Sequence, residues 1–257
     1  LYNNKYYKKQ ITERSTEQMK DIIQCLEAIL HKGYSSFTIF NDWLDLMLFA
    51  LQRDDEQYLE IVKKYKNDQP QGKREIDHFS EAFACLMLEM QKTNDDILGQ
   101  VYMQWNMNNK YRGQFFTPKH VASMMAKCLN PKGKVLDPCC GSGVMLVEAI
   151  KTMDNETLDS SLICGQDIDL TCVKMCALNL LFFNVNGYVV WGDSLLMECN
   201  KGYQTKRSYL GGSIRELTGE AFESFKRSYT ASLEKTFKEL PAKSFTKEEL
   251  QKLTAEG

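Results

Sequence analysis

Asp137, Asp167 and Asp193 each close a short apolar run, and the small-residue turn Gly141-Ser142-Gly143 follows the first of them. Carboxylates at successive strand ends can accept from hydroxyl and amino groups. A glycine turn opening a helix lets backbone N–H groups approach a ligand at that helix start. The stretch KVLDPCCGSGVMLV therefore reads as a buried strand over 134–137, a tight turn at 141–143 and a helix over 144–153. A carboxylate roughly 20 to 30 residues past such a turn is where ribose hydroxyls are held in doubly wound α/β folds, which suits Asp167. Asp193 can accept from an adenine amino group. The three turns describe a nucleoside-shaped cleft with a cationic or amino group near Asp137.

Exclusion narrows the ligand. A dinucleotide fingerprint wants a third glycine where Leu146 stands, and a P-loop wants Gly-Lys-Ser/Thr, which does not occur. No pyrophosphate needs neutralising, which leaves a charge-light nucleoside, S-adenosylmethionine being the obvious member. An aromatic loop precedes the first strand: in YRGQFFTPKHVASMMA, Gly113 and Pro118 bracket Phe115 and Phe116. Thr117 can cap the helix that follows, Pro118 suits its first turn, and the loop can wall a flat or apolar ligand.

The elements that must position these residues are legible from periodicity. Residues 162–166 and 188–191 read as second and third strands, with a helix over 171–183 burying Val173, Cys176, Ala177 and Leu180. Residues 1–108 read as a helical region. Ser15 and Gln18 form a capping box ahead of a stripe running from Met19 to Leu30, with Gly33 as its stop. Residues 43–51 are apolar nearly all round and predict a central helix. Residues 54–65, 76–90 and 96–104 predict three more. The aromatic and Met residues of this region read as packing. The fold class is thus α/β, divided as 1–108 helical, 109–200 ligand-binding and 201–257 basic loop with a helical tail.

Composition bounds the rest. With 257 residues, 43% of them hydrophobic, the chain can bury a real core, and a net charge of −2 gives no general attraction for nucleic acid. Nine cysteines without a Cys-x-x-Cys pair suit buried free thiols. His31, His78 and His120 stand alone, so no metal site is expected. The longest apolar run, 46–51, is too short to span a membrane, and no signal peptide heads the chain, which points to the cytoplasm. Leu1 in place of Met leaves the natural start open. Lys5, Lys8 and Lys9, interleaved with Tyr6 and Tyr7, read as a solvated terminal segment with a phosphate-contact alternative.

GQFFTP, VLDPCCGSG, GQDID followed by ALNLLFF, and GDSLL, in that order, resemble the S-adenosylmethionine-binding half of adenine-specific N6 DNA methyltransferases. The resemblance is to the modification subunits of type I restriction-modification systems and covers roughly residues 96–196. It implies a helical N-terminal domain followed by a truncated Rossmann-like methyltransferase domain. It also implies that Phe115 and Thr117 line the methionine end, Asp137, Gly141 and Gly143 hold the methionine moiety, Asp167 takes the ribose and Asp193 the adenine. DNA, met weakly or through a partner, and a specificity or companion methyltransferase subunit are the implied partners. A homo-oligomer stays open.

One departure bears on activity. Such enzymes carry a fourth strand ending in Asn/Asp-Pro-Pro-aromatic, which holds the amino group of a flipped base. Here Pro70, Pro118, Pro131, Pro138 and Pro241 include no adjacent pair, so catalytic residues are unassigned. Asn200 and Gln204 are polar alternatives without proline-rigidified settings. Three readings follow: an adenine N6-methyltransferase, a donor-binding or assembly module that acts through a partner, and a scaffold whose pocket is lost. The bulk of Cys139 and Cys140 on the turn bears on the third. The tail is read as a basic loop or short strand over 201–213, with Lys201, Lys206, Arg207 and Arg215, then helices over 218–240 and from 246. Residues 202–209 are expected to cover the open edge of the first strand, unless another chain does.

Overall fold

The computed structural model describes residues 21–30, 33–105 and 116–239. The Ser15–Gln18 cap, the cluster around Lys5, Phe115 and the helix expected from 246 lie outside the described residues.

Helix α1 (residues 21–30) buries Ile22, Leu26 and Ile29 completely, and Gly33 ends the turn with φ 99° and an N–H donated to the Leu30 carbonyl. Helix α2 (Ser36–Gln52) starts where Ser35 Oγ accepts from the Thr38 N–H at 3.0 Å. Its nearly continuous apolar sequence leaves no outer face over much of its length: Phe40, Trp43, Leu44 and Leu48 are buried. Helices α3 (Asp55–Val62), α4 (Glu75–Thr93) and α5 (Ile97–Gln104) follow. Trp43 satisfies its indole N–H on the Phe79 carbonyl at 3.2 Å, and Phe40 packs on both Trp43 and Tyr102. These aromatics pack among the more numerous buried Ile, Leu and Met side chains that order the helices.

Helix α6 (Lys119–Leu129) leads to strand β1 (Lys134–Asp137), then α7 (Val144–Ile150), α8 (Asn155–Ser160), β2 (Leu162–Asp167), α9 (Leu170–Phe182) and β3 (Gly187–Trp191). Strands β4 (Lys201–Lys206) and β5 (Ser213–Glu216) form a hairpin, and α10 (Gly219–Glu239) closes the described chain. Pro118 takes the N-cap position of α6 with no side-chain cap bond, so Thr117 does not cap as expected. The sheet runs β1-β2-β3-β4-β5, parallel through the first three strands and antiparallel thereafter. It is a mixed α/β architecture whose strand order follows the sequence, with no reversal at β1.

Two expectations about β1 need correcting. It alternates exposed and half-buried residues, as an edge strand, and is not a buried one. The segment expected to cover it does become a strand, but on the far side of the sheet: Lys201 pairs with Trp191 and Thr205 with Gly187. Residues 192–200 are the reason. A connection so short returns the chain beside the strand it has just left, as an antiparallel neighbour, whereas the outer edge of β1 is three strand spacings of about 4.8 Å away. The Asn200 N–H donates to the Trp191 carbonyl at 2.8 Å and closes that return.

Helix α9 is buried all round because it lies against β2, β3 and β4 on one side and meets α2 and α5 on the other. Polar links cross the same interface. Lys174 reaches Asp45 at 2.7 Å, and the Thr171 hydroxyl bonds Asn41 at 3.1 Å. Three of the four cations of the segment expected to be a basic loop are engaged inside the chain: Lys201 with Glu216 at 2.8 Å, Arg207 with Asp159 at 2.6 Å and Arg215 with Gln204 at 2.8 Å. The chain divides at Leu217–Thr218 into two compact units, the second containing α10, whose Phe225 and Tyr229 stack at 5.4 Å.

Candidate functional site

Strand β1 delivers Asp137 and β2 delivers Asp167 to the same end of the sheet, because the strands are parallel and paired Asp137 to Gly165. Between them the turn 138–143 folds over the end of β2. The Cys140 N–H donates to the Gln166 carbonyl at 2.9 Å and the Gly141 N–H to Asp167 Oδ2 at 2.8 Å. Asp167 Oδ1 accepts from the Asp169 N–H at 2.9 Å. Burial raises the Asp167 carboxyl above the ordinary carboxylate value, and these two backbone donors oppose the shift. Asp137 is raised in the same way by burial. Among the described residues it accepts from the Cys139 N–H alone, at 3.1 Å, which leaves acceptor capacity on a carboxylate that lines the cavity.

That cavity measures about 1200 Å³. It gathers Thr117, Asp137, Gly141 and Asp167 of the residues singled out from the sequence. Gly141 has φ 53°, and a Cβ there would stand 3.2 Å from the Phe116 ring, so the turn and the aromatic wall meet where only hydrogen fits easily. Phe116 is itself backed by Tyr102, stacked at 5.5 Å and 16°.

Gly143 and Asp193 are not in the cavity wall. Gly143, with φ 93°, is the N-cap of α7, and a Cβ on it would fall 2.9 Å from Cys176 Sγ. Its smallness serves the approach of the turn to α9. The Asp193 carboxylate accepts from the Leu195 N–H at 2.8 Å and the Leu196 N–H at 3.3 Å, and so organises its own turn. That turn still approaches the first, with Ser194 Oγ 4.0 Å from Cys139 Sγ.

Sequence reasoning missed part of the wall. Tyr102 and Phe37 come from the helical region whose aromatics read as packing, Phe37 ahead of the helix read over 43–51, and Ile168, Trp191 and Met125 add to the apolar lining. Ile168 and Trp191 flank acidic strand ends, a signal available in the sequence. Nothing local marked Phe37, which the fold brings from α2 with 54% of its surface still exposed. Cys140 is buried, its sulfur 3.0 Å from the point a Gly165 Cβ would occupy, and none of the nine cysteines, all among the described residues, is in a disulfide.

The order of acidic strand ends and glycine turn on a mixed α/β sheet defines a class, and comparison with known sequences agrees. Residues 93–208 match the N-6 DNA Methylase family, and over that region the chain is similar to N6-adenine methyltransferases of the methylase-subunit kind. Among curated relatives it is similar to the type I restriction enzyme MjaIX methylase subunit of Methanocaldococcus jannaschii, 24% identical over 52% of this chain and 26% of the relative. It is similar also to the MpnII methylase subunit of Mycoplasma pneumoniae, 29% identical over 38% of this chain and 20% of the relative. The HindI methylase subunit of Haemophilus influenzae is 34% identical over 33% of this chain and 21% of its own length. The matched regions thus span about a fifth to a quarter of these relatives. Among the described residues no helix is long and apolar enough to cross a membrane.

Proposed function

We propose that the cavity binds S-adenosylmethionine, and that the segment from β1 to β3 is the donor-binding half of a truncated Rossmann-like methyltransferase domain. The protein then acts as a type I methylase-subunit-like component of adenine N6 methylation, on DNA and alongside a specificity or companion subunit. One observation carries the reading: two half-buried carboxylates and a glycine turn bordering a single cavity walled by aromatic and aliphatic side chains.

The residues fit such a ligand. Asp137 keeps acceptor capacity for an ammonium, and its buried setting strengthens any charge it meets. Each Asp167 oxygen bonded to one backbone N–H retains a lone pair for a ribose hydroxyl. Phe116, Ile168 and Trp191 offer apolar surface and few competing donors to a flat base. When bound, the donor supplies an electrophilic methyl on a sulfonium. The chain's own work is to bind it, orient it and keep water from the cavity. In the adenine role Asp193 would accept through Oδ2, since both N–H groups of its own turn bond Oδ1.

A second reading, in which the donor is bound here and the base-gripping step belongs to a partner, is favoured by the tract after Asp193. It forms the antiparallel β4–β5 hairpin in place of a further parallel strand, and this sequence has no adjacent prolines. Calorimetry with S-adenosylhomocysteine tests the shared claim. Saturable heat that weakens at least about tenfold in Asp167→Ala is expected, and no heat at about millimolar ligand rejects it. Tritium transfer from labelled donor to DNA then separates the readings. Turnover lost in Asp167→Ala supports the enzyme; binding without turnover supports the partnered module.

A further inference from the structure

The adjacent carboxylates Asp95 and Asp96 sit at the entrance to α5, outside the acidic turns, and face different ways. Asp96 is buried and is the N-cap of its helix, Oδ1 accepting from the Gly99 N–H at 2.8 Å. The same oxygen accepts from Asn179 Nδ2 of α9 at 2.8 Å, and Oδ2 accepts from the hydroxyl of Ser142, the middle residue of the glycine turn. Asn179 Nδ2 also donates to the Ser142 carbonyl at 2.8 Å, so both polar ends of Ser142 are held. Gly99 belongs to the same joint, since a Cβ on it would overlap Ser142 Oγ. Asp95 turns outward. It takes Lys119 Nζ at the start of α6 at 2.5 Å and Lys151 Nζ just after α7 at 2.6 Å.

These two side chains therefore hold the turn, α6, α7 and α9, the elements whose residues wall the cavity. A buried carboxylate is costly unless fully bonded. Asp96 has three donors: the Gly99 N–H caps its own helix, while the Ser142 hydroxyl and Asn179 fix where the turn sits, and both of those residues are completely buried. We infer that Asp96, on a helix preceding the sheet, is the positioning residue for the donor-binding turn, acting through the Ser142 hydroxyl, with Asp95 steadying α6 and α7. The inference rests on the donor reading for its functional meaning but not for its test.

The test pairs a ligand-free measurement with a ligand-bound one. Cys140 belongs to the turn, whereas Cys199 lies beyond β3, and both are buried at 3% and 1% exposure. In folded Asp96→Ala, alkylation of Cys140 by iodoacetamide is expected to rise about tenfold while Cys199 stays slow, because a charge-assisted hydrogen bond of ordinary strength is lost at the turn. S-adenosylhomocysteine affinity is expected to fall by about the same factor. Asp96→Asn can still accept from Gly99 and Asn179 and can donate to Ser142 Oγ, so it should stay within about threefold of the wild type on both measures. Cys140 and Cys199 rising together would mean general loosening and overturn the positioning role, as would no change in either. If Asp96→Ala does not fold, Ser142→Ala removes only the hydroxyl and is held to the same Cys140 criterion. Wild-type protein that binds no S-adenosylhomocysteine sinks the donor reading while the Cys140 ratio still decides the inference.

Discussion

Gly143→Ala puts a number on how closely the glycine turn is pressed against α9. The residue has φ 93°, outside the range L side chains adopt without strain, and holding an alanine there costs about 1–2 kcal/mol. The added methyl would lie 2.9 Å from Cys176 Sγ, a buried sulfur, and 3.6 Å from the backbone of the same residue. The approach to sulfur is an overpacking of about 1–2 kcal/mol, whereas the distance to the backbone is ordinary van der Waals spacing. The total, about 2–4 kcal/mol, corresponds in a domain of this size to a drop in thermal midpoint of about 4–16 °C. The two parts separate in a Cys176→Ala background, where the sulfur is gone and only the backbone strain remains. There the same Gly143→Ala change should cost about 1–2 kcal/mol less than in the wild type, a coupling read from a double-mutant cycle in urea. A Gly143→Ala variant within about 0.5 kcal/mol of wild type would refute the strain argument. A cycle with no coupling would refute the clash with sulfur.

Two further outcomes follow from single groups. The guanidinium of Arg74, with the Arg74 and Gly72 N–H groups, holds the Asp77 carboxyl down to about 2, below its ordinary 3.8. A depressed carboxylate stabilises the fold above its ordinary value and loses that contribution as the pH falls through the folded one. The midpoint difference between wild type and Asp77→Asn should therefore be full at neutral pH and shrink between about pH 4 and pH 2. A difference independent of pH would rule the pairing out. Cys139 is exposed and lines the cavity, so iodoacetamide should label it readily and S-adenosylhomocysteine should slow that labelling. Equal rates with and without ligand would place the ligand elsewhere.

Much of the chain is legible one residue after another. Strand 134–137 reads with its boundaries, the ends of the second and third strands fall within a residue of the reading, and the helix read over 96–104 is found as Ile97–Gln104, with Asp96 as its cap. Each depends on interactions between near neighbours: alternation, a capping carboxylate, a glycine at positive φ. The resemblance to the family is legible too, because motifs in order survive as sequence even where pairing is unknown. Asp193 shows the limit. Its type and place suit a ligand, yet its Oδ1 is held by two N–H groups of its own turn and the residue stands outside the cavity wall, which only the loop's conformation reveals.

What the sequence by itself determined, then, are most of the elements, the acidic turns and the family resemblance, all encoded over spans of a few residues. Tertiary structure alone decided that residues 201–206 pair with β3, that Phe37 and Tyr102 join the cavity wall, and that Asp96 grips a serine 46 positions further along the chain. The physical reason is common to all three. Polar satisfaction and close packing are properties of a point in space, met by whichever groups the chain returns there, and no window along the sequence contains the partners that meet them.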